Sequence, residues 1–151
     1  MASLSLLNFD VMRARALLIG YLIFVVYGSL VPLDFKAVPI AVAWQQFQAM
    51  PYLSLGVESR ADWVANGVLY LPLGTLLALA LSNRDGRLLP VVGTLGIVTN
   101  AAIAVSVEFV QLYFPPRTVS VNDVMAECIG GGLGLVLVPM FRGPVNRVRD
   151  G

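Results

Sequence analysis

Four apolar stretches of near-spanning length decide what this chain can fold into: Ala16–Leu33, Trp63–Leu81, Leu88–Leu112 and Val124–Phe141. About 17–25 apolar residues cross the hydrocarbon core of a bilayer as a helix, and lipid leaves backbone polar groups no partner outside such a helix or a closed barrel. The predicted fold is therefore all-α. It is a polytopic membrane protein, a bundle of four transmembrane helices forming one domain over residues 1–151. Composition points the same way, with 58% hydrophobic and 13% charged residues, against roughly 45–50% and 25% in soluble domains. Arg13 and Arg15 before the first stretch give it the look of a secretory leader. The run continues to Leu33 with no small-x-small cleavage site after it, so it reads as an uncleaved span.

Basic residues in short loops set orientation. Arg13, Arg15, Arg84, Arg87, Arg142, Arg147 and Arg149 fall on one side, and Lys36, Arg60 and Arg117 on the other. Seven against three places both termini in the cytoplasm. The acidic residues Asp34, Glu58, Asp62 and Asp123 then face outward. In the long outer loop Pro39 suits a helix start, and Ile40, Ala43, Trp44, Phe47 and Met50 recur at helical spacing opposite Gln45, Gln46 and Gln48. This predicts a short amphipathic helix between the first two spans. It either lies on the outer membrane surface, with Trp44 and Tyr52 at headgroup depth, or packs onto the bundle. Pro51 ends it.

Several chemistries are excluded. The chain has no histidine, which removes histidine general bases and histidine metal ligands. The single Cys128 offers neither a disulfide framework nor zinc spacing. A formal net charge of +1 carries no nucleic-acid signature. No internal repeat of the inverted-transporter kind is visible. Gly130-x-x-x-Gly134 and Gly74-x-x-x-Ala78 are small-xxx-small patterns that let helices approach closely, within the bundle or, as the alternative, between two copies.

Polar residues inside spans are costly and usually face the bundle interior. At 1.5 Å per residue, Asn66 lies roughly 4–5 Å below the outer end of the second span, and Glu108 about 6 Å below that of the third. Gln111 shares the face of Glu108, and Glu127 sits one turn below Asp123 on the fourth span. Arg60 and Asp62 precede the second span, and Arg117 lies in the tight loop Phe114-Pro115-Pro116-Arg117. Ser120 and Asp123 fit a capping box, with Asn122 as an alternative cap. Arg60, Asp62, Asn66, Glu108, Gln111, Arg117, Asp123 and Glu127 are thus the candidate ligand-binding residues, gathered in the outer leaflet. Asp62, Glu108, Asp123 and Glu127 outnumber Arg60 and Arg117, and such an excess of buried acid calls for a proton, a cation or a cationic ligand.

The ordered set of motifs resembles the VanZ-like family of small bacterial membrane proteins. Tyr27-Gly28-Ser29-Leu30-Val31-Pro32 closes the first span, and Arg60-x-Asp62-x-x-x-Asn66 followed by Leu71-Pro72-Leu73-Gly74 opens the second. Glu108-x-x-Gln111-x-x-x-Pro115-x-Arg117 leads to Asp123 and Gly130-Gly131, so the resemblance covers about residues 27–135. It implies a four-helix domain in the bacterial cytoplasmic (inner) membrane and an association with envelope polysaccharides and low-level teicoplanin resistance, without a settled activity. The chain departs from that pattern at Glu127, where an asparagine is expected.

Three readings of the polar layer stay open at this point. One is a site for an envelope lipid, such as a polyprenyl-phosphate-linked precursor, with Arg117 and Arg60 on the phosphate. Another is a structural or partner-binding module whose polar layer only fixes the bundle. The last is an enzyme acting on a lipid-linked substrate through carboxylates, alone or with a divalent cation on Glu108, Asp123 and Glu127.

Overall fold

A computed structural model describes residues 2–52, 57–82, 90–115 and 117–141. Arg84, Arg87, Leu88, Pro116, Arg142, Arg147 and Arg149, and the side chain of Glu58, lie outside what it describes. The described residues are helical, with no strand: α1 Ala2–Leu30, α2 Ile40–Gln48, α3 Val57–Leu81, α4 Pro90–Gln111 and α5 Val121–Phe141. Four of these are long and apolar enough to cross a membrane, over Val11–Leu30, Arg60–Leu81, Pro90–Gln111 and Val121–Val138. The protein is a multi-pass membrane protein.

Several helix ends differ from expectation, with α3 starting at Val57 rather than Trp63 and α5 at Val121 rather than Val124. The first span stops at Leu30 rather than Leu33, because Val31-Pro32 forms a turn and proline cannot extend the hydrogen-bond ladder. In the other direction α1 continues to Ala2, since no proline or glycine interrupts residues 2–15. Pro90 opens α4, where its missing N–H costs nothing.

Cross-helix contacts fix the topology. Tyr21 Oη donates to the Leu69 carbonyl at 2.9 Å, tying α1 to α3. Thr75 Oγ1 donates to the Leu71 carbonyl at 3.0 Å and to Gly134 of α5 at 3.3 Å. Asn66 pairs with Asp123 and Thr75 with Gly134, so α3 and α5 run in parallel. Asn100 of α4 meets Glu127 of α5, and Glu108 meets Ser120, so α4 runs antiparallel to α5.

The α3–α5 pair is the tightest seam in the bundle. A Cβ at Gly74 would overlap the Gly131 carbonyl, one at Gly130 the Gly67 carbonyl, and one at Gly134 the Leu71 carbonyl. Backbone therefore lies against backbone, the geometry that small residues permit in membranes. Both small-xxx-small patterns are used for packing inside the chain. The apolar core beside this seam holds Val25, Tyr70, Leu73, Leu77, Ala104 and Leu135.

The α2 segment is helical as its spacing predicts, and it packs onto the bundle. Ala43 is fully buried, and the Phe47 ring meets Phe109 of α4 edge-on at 5.4 Å. Trp44 lies 6.3 Å from the same ring and remains half exposed. Phe35 stacks on Tyr113 at 6.2 Å, extending a belt of rings around this end of the molecule.

Candidate functional site

Three helices and one loop bring polar side chains to the end of the bundle that carries α2. Asn66 Nδ2 donates to Asp123 Oδ1 at 2.7 Å. The other carboxylate oxygen, Asp123 Oδ2, accepts from Ser120 Oγ at 2.6 Å, and Asp123 N–H donates back to Ser120 Oγ at 3.2 Å. This last bond is half of the expected capping box. The reciprocal half is supplied from outside α5, because Ser120 N–H donates to Glu108 Oε2 at 3.2 Å. Glu108 thus acts as a cap for a helix to which it does not belong. It is 1% exposed, and the charge of Arg117 acts on it from the loop before α5.

Gln111, one turn along from Glu108, donates its Nε2 to the Ser29 carbonyl at 2.9 Å. That bond ties α4 to the close of α1 and gives the Tyr27–Pro32 motif a structural reason. Deeper in the bundle, Asn100 Nδ2 donates to the Glu127 carbonyl at 3.2 Å, and Glu127 itself is 2% exposed. Tyr70 of α3 lies beside Glu127, and Glu108 and Asp123 are within electrostatic reach of it. Tyr70 Oη, Asn100 Oδ1, Gln111 Oε1 and Glu127 Oε2 are buried without hydrogen-bond partners among the described residues.

The structure thus joins Asn66, Glu108 and Asp123 through Ser120, with Gln111 one turn along from Glu108 and Glu127 one turn below Asp123. Arg60 and Asp62 take exposed positions in the first turns of α3. The acid trio of Glu108, Asp123 and Glu127 is not gathered for a metal: among the described residues no group of three His, Cys, Asp or Glu side chains is placed to hold one.

Above this network lies a cavity of about 460 Å³, bounded by the segment after α1, by α2 and by the loop before α5. Arg117 lines it together with Lys36, Gln46 and Gln111. Lys36, Tyr70 and Asn100 are the residues that sequence reasoning did not place in the site. Lys36 had one signal, as the only basic residue between the first span and the amphipathic helix. Tyr70 had none, because a tyrosine in an apolar run reads as ordinary core.

Polar side chains from α3, α4 and α5 meeting at one end of a four-span bundle are the arrangement expected from the ordered motifs. A family model described as VanZ/LLP1 matches residues 17–142. The chain belongs to the VanZ/LLP1 family. The match covers all four membrane-spanning helices except the N-terminal part of α1, and it includes every candidate site residue. Membership identifies a VanZ-like membrane protein of the cell envelope. No curated protein and no solved structure matches the chain. The VanZ-like motifs acquire distinct physical tasks here. Asn66, Ser120, Asp123 and Glu108 hold the start of α5, while Arg117 is left at the cavity.

Proposed function

We propose that the α2 end faces the extracytoplasmic side and that the protein holds the phosphate of an anionic envelope lipid, such as a polyprenyl-phosphate-linked precursor, against Arg117. The carrying observation is Arg117 itself, exposed on a cavity wall in the loop that leads to Ser120, whose N–H the buried Glu108 accepts. Guanidinium groups suit phosphate because they offer several donors in one plane. Lipid is favoured as the source by Phe35, Trp44 and Phe109, since a belt of rings is the usual mark of the membrane–water boundary. In this reading Glu108, Asp123 and Asn66 are positioning residues that set the α5 loop.

A structural reading has one observation in its favour. The polar atoms of Asn66, Ser120 and Asp123 largely satisfy one another, as a purely stabilising network would. The two readings part at Arg117, which lies outside those hydrogen bonds. Native mass spectrometry of the purified protein is expected to show a bound anionic lipid whose occupancy drops about tenfold in Arg117→Ala, the effect of one charge-assisted contact. Teicoplanin tolerance conferred by the protein should fall with it. Unchanged lipid occupancy in a folded Arg117→Ala protein would leave only the structural module.

A further inference from the structure

We propose that the cavity is a clamp for a phosphodiester whose polar arm carries hydroxyl groups, with Lys36 and Arg117 on the phosphate and the Gln46 amide on a hydroxyl. This names the ligand class of the site proposed above and rests on that reading.

The walls of the cavity are joined by main chain, so the clamp exists before anything enters it. Lys36 N–H donates to the Tyr113 carbonyl at 2.8 Å, fixing the segment after α1 to the end of α4. Val121 N–H donates to the Pro51 carbonyl at 3.2 Å, fixing the chain after α2 to the start of α5. Lys36 and Arg117 therefore come from two separately anchored segments that border one space.

Four main-chain donors at the start of α5, the usual alternative seat for an anion, are already engaged. Ser120 N–H goes to Glu108, Val121 N–H to Pro51, Asp123 N–H to Ser120 Oγ and Val124 N–H to the Ser120 carbonyl. The charged donors that border the cavity are side chains. Lys36 and Arg117 are the cations among the described residues that line it, and no carboxylate lines it. Two cations without an acid between them suit one phosphate group.

The neutral polar side chains select what the phosphate is attached to. Gln111 lines the cavity, and its amide nitrogen is held by the Ser29 carbonyl. Its Oε1 is buried, so this side chain forms a fixed wall of the cavity. Gln46 of α2, exposed at the same cavity, offers both a donor and an acceptor to a hydroxyl beside the phosphate.

The test uses the full chain in nanodiscs, with native mass spectrometry of retained lipid. Phosphatidylglycerol supplies a hydroxylated phosphodiester, phosphatidylethanol the same charge without hydroxyls, and phosphatidylcholine a head group with no net charge. Phosphatidylglycerol is expected to be retained about tenfold over phosphatidylethanol. Lys36→Ala, at an exposed position, should lower retention of both anionic lipids about tenfold, whereas Gln46→Met, also at an exposed position, should lower phosphatidylglycerol alone. Equal retention of the two anionic lipids, or retention unmoved by Lys36→Ala, overturns the clamp while lipid binding at Arg117 stands. Failure to retain any anionic lipid removes the underlying reading as well. Displacement of phosphatidylglycerol by equimolar free glycerol phosphate would assign the clamp to a water-borne phosphate ester and overturn the lipid source.

Discussion

Gly74→Ala is expected to cost the bundle about 3 kcal/mol or more, at the top of the range for forcing extra volume into a packed interior. The added methyl would overlap the Gly131 carbonyl, carbon and Cα, all of them backbone atoms that no rotamer change can move. Relief requires α3 and α5 to separate, which opens the seam along its whole length. Gly132 provides the control, because a Cβ there meets nothing within 4 Å. Gly132→Ala should melt with the wild type or slightly above it, since alanine favours the helix by up to about 1 kcal/mol. Thermal unfolding in detergent, followed by size-exclusion chromatography, checks the pair. Identical melting of Gly74→Ala and wild type would mean that the two helices do not touch through their main chains.

The second large effect is expected at Glu108. Glu108→Leu deprives the buried Ser120 N–H of its acceptor, a loss of roughly 1–3 kcal/mol for a buried donor left unsatisfied. Glu108→Gln keeps an acceptor oxygen for Ser120 N–H and should lose about 1 kcal/mol or less. The comparison separates two roles of one side chain. If Gln proves as damaging as Leu, the negative charge matters more than the cap, and the hydrogen bond to Ser120 is not the source of the stability. Measuring lipid retention on the same two proteins would then show whether Arg117 depends on that charge for its position.

Depth was legible in the sequence, whereas direction was not. The level of Asn66, Glu108 and Asp123 follows from rise per residue along spans whose ends are marked by hydropathy, and the structure joins these three through Ser120. Which way a side chain points depends on helix rotation, set by packing that no one-dimensional pattern records. Asp62 shares a face with Asn66 by spacing, yet it is exposed where Asn66 is half buried. Loops are harder still. Lys36 reaches the cavity because Lys36 N–H is pinned to Tyr113, a pairing across 77 residues in an aperiodic segment. Capping was partly readable: Ser120 and Asp123 announce a box, but nothing local shows that Glu108 completes it from another helix.

The seam of glycines has a consequence for how this protein tolerates change. Asn66 lies eight residues before Gly74 along α3, about 12 Å at the helical rise. Its meeting with Asp123 holds only while α3 and α5 keep one relative rotation and one relative height. That alignment is dictated by positions bearing no functional group at all. Substitution in the middle of the membrane will therefore be felt as misaim at the surface, and a chemist looking only at the charged residues would search for the fault in the wrong place.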